Sequence, residues 1–337
     1  MNSFKVNYLT KNSELIAEVE DFIKNWNDDS DCVYTNTSGS TGKPKKIEIK
    51  KEKMVESATM TCDFLSLQEG EKVLLCLSPK TIAGKMMIVR SIVRNLELYV
   101  VDISSNPLKI IDFQIDFIAM VPLQLEKTLE LNSSKLKSIR NCIIGGGDIS
   151  FRLKNKLVEK GITVYHTFGM TETISHIAMR KVGLINEECF QAIGINYFSV
   201  EDDCLIIHSP LLDSSSLKTN DIVQLVDNKK FIWKGRADFV INSGGVKIHP
   251  EEVEEKLSKF IDAPFFITYK EDELYGQIVI LIIETETETE FELNSQFRDV
   301  LSKYEIPKEI YFLKEFERTD SGKINRLKTK ELILNKL

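Results

Sequence analysis

The amino-acid sequence predicts an α/β protein, with a large N-terminal domain built on open, mostly parallel sheets and a small α+β C-terminal domain. Three observations carry this prediction. Short apolar runs alternate with helix-periodic segments between Val73 and Val158, the pattern of a sheet covered by helices on both faces. After Phe265 the order changes to strand, strand, helix, strand. The chain has 337 residues, 42% hydrophobic and 28% charged, enough for more than one core.

Taken in order, Ser13 to Trp26 reads as an amphipathic helix, because Leu15, Ile16, Val19, Phe22, Ile23 and Trp26 recur at helical spacing. A polar turn at residues 28–31 ends it. Lys46 to Lys50 alternates strictly, as a half-buried strand does. Lys53 to Ser66 reads as a helix through Met54, Ala58, Cys62 and Leu65. Strands are then expected at Val73–Leu77, Leu98–Ile103, Phe117–Val121, Cys142–Ile144 and about Ile162–Val164, and helices at Gly84–Arg94, Leu123–Leu131 and Phe151–Val158. Ile222–Val226 and Phe231–Trp233 form a strand pair turning at Asp227-Asn228. Pro250 followed by Glu251 and Glu252 marks a helix start. Beyond it come strands at Phe265–Tyr269, Gln277–Ile283 and Ile310–Leu313, a helix at Phe291–Leu301, and a Glu/Thr-rich patch at residues 284–290 that carries no assigned chemistry.

Composition excludes several classes. A net charge of -7 and the lack of a basic stripe interleaved with aromatics argue against a general nucleic-acid binder. Residues 1–10 lack the apolar core of a signal peptide, and no apolar run is long enough to span a bilayer, so a cytoplasmic protein is expected. The six cysteines are scattered without a C-x-x-C pair, which reads as buried reduced thiols, and the four histidines show no metal-ligand spacing.

The chemistry is concentrated in a few stretches. Thr35-Asn36-Thr37-Ser38-Gly39-Ser40-Thr41-Gly42-Lys43-Pro44-Lys45 combines small hydroxylic side chains, two glycines and two lysines, which suits a polyphosphate. It is not a G-x-x-x-x-G-K-[ST] loop, since Gly39 and Gly42 are too close and Pro44 follows Lys43. Alone it also fits a solvated linker. Gly145-Gly146-Gly147 after a buried strand permits close backbone approach to a flat ligand, or is only a tight turn. In Tyr165-His166-Thr167-Phe168-Gly169-Met170-Thr171-Glu172-Thr173, read as a loop, Phe168 can stack on a base, Thr171 can reach a phosphate, and Glu172 can ligate magnesium.

These stretches, with Lys218-Thr219-Asn220-Asp221, Gly235-Arg236-Ala237-Asp238 and Arg318-Thr319-Asp320-Ser321-Gly322-Lys323, resemble in order the signatures of the adenylate-forming (acyl-CoA synthetase, AMP-binding) superfamily. The resemblance runs from about residue 36 to residue 325. It implies domains at 1–237 and 238–337, the first shortened at its start relative to most members. It also implies an acid-thiol ligase that uses ATP and Mg2+, forms an acyl-adenylate, and passes the acyl group to coenzyme A. Nucleotide contacts are implied for Thr37, Ser38, Gly39, Ser40, Thr41, Gly42, Lys43, Lys45, Gly145, Gly146, Gly147, His166, Phe168, Gly169, Asp221 and Arg236. Asp221 would accept the ribose hydroxyls, Asp238 would be the pivot of a rotating C-terminal domain, and Gly244, Gly245 and Lys247 would line the CoA channel. Catalysis would rest on Lys323, Thr171 and Glu172, with Glu172 as the metal ligand. Asn220 stands where glycine is usual, a departure that left-handed backbone angles would accommodate.

The acid pocket is expected near Thr81, Lys85, Arg90, Thr173, Ser175 and His176. Basic groups there suggest an acid with a second carboxylate, and Lys85 and Arg90 equally fit a solvated helix face. A short chain with such a segment resembles the o-succinylbenzoate-CoA ligases of menaquinone synthesis. Three other readings stay open: a CoA ligase for another acyl or aryl acid, loading of a carrier protein in place of CoA, and a non-catalytic nucleotide-binding scaffold. No nucleic-acid or membrane partner is expected, and the oligomeric state is not legible.

Overall fold

The structure is a computed structural model that describes residues 4–36, 46–286, 295–318 and 324–334. In chain order its elements are β1 (Val6–Tyr8), α1 (Ser13–Trp26), β2 (Cys32–Asn36), β3 (Lys46–Lys50), α2 (Lys51–Phe64), β4 (Lys72–Leu75), α3 (Ile82–Arg94), β5 (Glu97–Val100), β6 (Phe117–Met120), α4 (Pro122–Ser138), β7 (Asn141–Ile144), α5 (Phe151–Lys160) and β8 (Thr163–Gly169). An antiparallel region follows: β9 (His176–Gly183), β10 (Phe190–Ala192), β11 (Tyr197–Glu201), β12 (Cys204–His208), β13 (Leu217–Asp227) and β14 (Lys230–Arg236). A 3-10 turn at Ala237–Phe239 leads to β15 (Ile241–Ser243), β16 (Val246–Ile248), α6 (Pro250–Leu257), β17 (Phe265–Asp272), β18 (Gly276–Glu284), α7 (Ser295–Val300), β19 (Glu309–Leu313) and α8 (Arg326–Leu334).

The large sheet has 12 strands in the order β1-β5-β4-β6-β7-β8-β9-β10-β14-β13-β12-β11. It is parallel from β1 to β8 and antiparallel from β8 onward, so the expected parallel run holds for its first half. Successive residues alternate between its faces. Val73 and Leu75 join the core beneath α1, α2 and α3, whereas Leu74 and Cys76 join the core beneath α4 and α5. Burial on both faces is why the central strands read as continuous apolar runs. The second sheet, β16-β15-β18-β17 with β19 beside β18, alternates in the same way, with Val279 and Leu281 on one face and Ile278 and Ile280 on the other.

Local chemistry accounts for the helix ends that frame the site. Asn12 Oδ1 accepts hydrogen bonds from the backbone N–H groups of Glu14 and Leu15 and so caps α1. Thr81 caps α3, accepting from Gly84 N at 3.3 Å, and Gly161 closes α5 in the left-handed region at φ 64°. Gly84 is obligatory at its position, because a Cβ there would lie 2.1 Å from the carbonyl oxygen of Ser78.

The two sheets meet where α6 packs on β14 and α5. Lys154 pairs with Glu255 at 3.3 Å and Lys234 with Glu252 at 3.6 Å. Arg326, at the start of α8, makes a two-pronged pair with Glu254 at 2.7 Å for each bond and lies over the rings of Phe239 and Phe266. One anchor therefore touches the linker turn, α6 and β17.

Four cysteines, Cys62, Cys76, Cys142 and Cys204, are buried free thiols as expected, but Cys32 and Cys189 are only half-buried. Burial pushes the Cys76 thiol up to about 12.

Candidate active site

The glycine segment Gly145–Gly147 leaves the carboxyl end of β7, and the signature Phe168-Gly169 ends the neighbouring β8, whose Ile144↔His166 pairing places the two side by side. The Tyr165–Gly169 part expected as a loop is strand. The chain leaves the sheet only at Met170 and re-enters at His176. Gly169 is dictated by that return, since a Cβ would lie 2.5 Å from the His176 Cα.

Between the two strands lies a tight turn. Thr173 Oγ1 accepts from the Met170 backbone N–H at 3.0 Å and donates to the Ser175 carbonyl at 2.7 Å. Ile174 is held at φ 66°, an uncommon conformation for a β-branched residue and of the kind that clusters at functional sites. Thr171 is half-buried and Glu172 exposed at the apex. A single exposed carboxylate suits magnesium, which keeps waters and takes its remaining ligands from phosphates. Among the described residues no group of three or more His, Cys, Asp or Glu side chains could by itself hold a metal.

His166 lies beneath the glycine segment. Its Nε2–H donates to the Gly147 carbonyl at 3.2 Å, and burial takes its pKa down to about 4, so the imidazole is neutral. Arg180 of β9 lies 3.4 Å from His166 Nδ1 and over the Phe190 ring at 4.6 Å. Phe168 is half-buried, edge-on to Phe231 of β14 at 5.1 Å and near Phe190 at 5.7 Å. These ring contacts bring β14 close to β8 although two strands separate them.

On the β13–β14 pair, Asp221 is buried and its Oδ1 accepts the Trp233 indole N–H at 2.9 Å. Burial raises its pKa while the indole N–H opposes the shift. Arg236, opposite Asp221, donates to Asp238 Oδ2 at 2.5 Å, and Asn220 Nδ2 donates to Asp238 Oδ1 at 2.8 Å. Asn220 does not use the left-handed backbone expected for it; it is a strand residue whose amide grips Asp238. Gly244 and Gly245, at φ 57° and 83°, form the two-residue turn of the β15–β16 hairpin, and Lys247 is exposed on β16.

The pocket residues separate. Thr81 is engaged as a cap, donating to the Ser78 carbonyl at 2.8 Å. Lys85 points to α1, over the Phe22 ring at 5.5 Å and onto the Pro79 carbonyl at 2.5 Å. Arg90 points to the 170–175 turn, donating to Ser175 Oγ at 3.0 Å. Neither lies on a solvated face, and they share no contact, because five residues on a helix differ by about 140°. Arg90 is 2% exposed. Its other contact is Met87 Sδ at 3.7 Å, its Nε has no hydrogen-bond partner, and the neighbouring Cys62 thiol is pushed up by burial and so stays neutral. Among the described residues, therefore, no anion meets this guanidinium.

Residues 37–45, which hold Thr37, Ser38, Gly39, Ser40, Thr41, Gly42, Lys43 and Lys45, join the antiparallel strands β2 and β3 and lie outside the described residues, as does Lys323. Trp233 and Arg180 were not singled out from the sequence, and Asn220 was noted only for its backbone. The β13–β14 turn, expected at Asp227-Asn228 and found one residue later at Asn228-Lys229, carried the signal for Trp233, because counting back along that pair brings it towards the Asp221 end.

The fold and these signatures define a class, and the comparisons agree. The AMP-binding enzyme family matches residues 4–201, and the chain belongs to that family. A 2-succinylbenzoate–CoA ligase of Bacillus cytotoxicus is 28% identical over 89% of this chain and 70% of its own length. One from Listeria monocytogenes is 27% identical over 95% and 74%. Among solved structures, an acyl-CoA synthetase (AMP-forming)/AMP-acid ligase II-like protein from Dyadobacter fermentans has a TM-score of 0.65 at 33% identity, covering 96% of this chain and 95% of its own. The o-succinylbenzoate coenzyme A synthetase of Bacillus subtilis, in complex with ATP and magnesium ion, has a TM-score of 0.76 at 23% identity, covering 88% and 69%; at that identity the likeness is one of fold. No helix among the described residues is long and apolar enough to cross a membrane.

Proposed function

We propose that this chain is an ATP-dependent acid-CoA ligase acting on o-succinylbenzoate, the ligase step of menaquinone synthesis. The observation that carries the substrate assignment is Arg90. A buried guanidinium without an anion is costly, and a substrate with a second carboxylate would supply one. The names of the relatives support the same acid. ATP and CoA as co-substrates fit a cytoplasmic setting.

In the first half-reaction a carboxylate oxygen of the acid attacks the α-phosphorus of ATP, the bond to the β-phosphate oxygen breaks, and pyrophosphate leaves. Lys323 neutralises the charge that gathers in that transition state, and the 37–45 segment and Thr171 hold the phosphates. Glu172 would hold magnesium, which supplies charge neutralisation on the phosphates when bound. Asp221, oriented by Trp233, accepts the ribose hydroxyls. The part of the chain from Asp238 onward then turns about the 237–239 linker, which withdraws Lys323 and presents the Gly244-Gly245 turn and Lys247 to CoA. The CoA sulfur, losing its proton, attacks the acyl carbonyl and AMP departs. The arrangement described here suits the first half-reaction. Arg326, three residues after Lys323, interacts electrostatically with Asp148 beside the glycine segment, while the Gly244 turn rests against Tyr275 and Tyr304.

Pyrophosphate release with ATP, magnesium and CoA, measured across o-succinylbenzoate, benzoate and a medium-chain fatty acid, tests the assignment. A preference of about 10²-fold in kcat/KM for o-succinylbenzoate is expected from one buried ion pair. Equal use of benzoate would remove the substrate assignment and leave the adenylation chemistry standing. Trp233→Phe is expected to raise the KM for ATP about 5–10-fold with kcat nearly unchanged, the effect of losing one buried hydrogen bond to Asp221; steady-state kinetics at saturating acid checks it.

A further inference from the structure

We infer that His176, acting through Ser175, is a positioning residue that fixes the Arg90 guanidinium for the second carboxylate of the acid substrate. The inference rests on the reading of Arg90 given above. It comes from a buried chain of hydrogen bonds that crosses from α3 to α2. Arg90 donates to Ser175 Oγ at 3.0 Å, Ser175 Oγ is 3.3 Å from His176 Nδ1, His176 Nε2 is 3.0 Å from Thr61 Oγ1, and Thr61 Oγ1 is 3.0 Å from the Ser57 carbonyl oxygen.

The two ends of this chain fix the direction of every hydrogen in it. An arginine can only donate, and a carbonyl oxygen can only accept. Thr61 has one hydroxyl hydrogen and gives it to the Ser57 carbonyl, so towards His176 its oxygen must accept. His176 therefore carries its proton on Nε2, and Nδ1 presents a lone pair. Ser175 takes the Arg90 hydrogen bond on its oxygen and gives its own hydrogen to Nδ1. All four bonds are satisfied in this arrangement. The opposite tautomer would aim two donors at Ser175 Oγ and leave Thr61 with two acceptors for one hydrogen. Protonated His176 would set a second cation beside Arg90, and burial together with that neighbour keeps the imidazole neutral.

The consequence for Arg90 is orientation. One nitrogen of the guanidinium fork is tied to Ser175, and the tie is only as rigid as the imidazole and Thr61 behind it. Without His176 the Ser175 hydroxyl turns freely and the fork loses its reference.

Two measurements test this. In wild-type protein, 15N-resolved NMR of the histidine rings is expected to show two imidazoles locked as the neutral Nε2–H tautomer, those of His166 and His176, and the second of these signals is lost on His176→Gln. An Nδ1–H or imidazolium form of His176 would overturn the relay, whatever acid the enzyme uses. In kinetics, His176→Leu is expected to raise the KM for o-succinylbenzoate about 10-fold, the worth of one buried hydrogen bond, while kcat changes less than about 2-fold. His176→Gln should restore KM to within about 3-fold, since its carbonyl can accept from Ser175 and its amide can donate to Thr61. If Arg90→Met removes the preference for o-succinylbenzoate over benzoate and His176→Leu leaves KM untouched, the relay is wrong and the Arg90 reading stands. If Arg90→Met leaves that preference intact, the Arg90 reading itself fails.

Discussion

Replacing Lys323 with alanine is expected to slow acyl-adenylate formation by about 10²–10³-fold, the usual cost of removing one preorganised charge from a transition state that concentrates anions. The same variant, supplied with ready-made acyl-adenylate, should transfer the acyl group to CoA within about 3-fold of wild type. The contrast follows from where the chain is anchored. Arg326 is held by Glu254 and lies over Phe239 and Phe266, and only two residues, at most about 10 Å of backbone, lie between it and Lys323. In the proposed mechanism the lysine would move with Arg326, and a rotation about the 237–239 linker that serves the second half-reaction would also withdraw it. Rapid-quench assays of each half-reaction check this. Equal loss in both halves would mean that Lys323 acts on the acyl group or on folding rather than on phosphoryl transfer.

Arg90→Met should lower kcat/KM for o-succinylbenzoate by about 10²-fold and change kcat/KM for benzoate by less than about 3-fold. Methionine keeps much of the buried volume and removes a charge that meets no anion among the described residues, so the fold should tolerate it and gain rather than lose stability. Thermal unfolding alongside the kinetics separates the outcomes. A large drop in melting temperature would assign Arg90 to structure, and parallel losses with both acids would assign it to catalysis in general.

The parallel half of the large sheet and the helices around it were legible because burial on both faces writes strands as apolar runs, and α1 has the bounds its periodicity implied, Ser13–Trp26. The region between β8 and β13 was not. β10 alternates but is only three residues long, and β9 opens with four buried residues in succession, so neither offers a period to read; they are strands because their neighbours supply the partners. The same blindness made Tyr165–Gly169 look like a loop. Only the close return of His176 explains why a glycine ends a strand there.

In the site, residue types were legible and directions were not. The sequence placed Lys85 and Arg90 together, and helix geometry sends one to α1 and the other to the 170–175 turn. Asn220 in place of glycine had a reading in backbone freedom, whereas its side chain on Asp238 gives the physical reason. Trp233, which carries no charge and matches no signature, became visible only once the β13–β14 register set its indole against Asp221.

The most direct test of the two-step chemistry is a single turnover with enzyme in excess, ATP, magnesium and o-succinylbenzoate, first without CoA and then chased with it, read by mass spectrometry. The expected result is acyl-adenylate and pyrophosphate in equal amounts before the chase, and thioester and AMP after it. ADP and phosphate as products, or an adenylate that CoA does not consume, would contradict it.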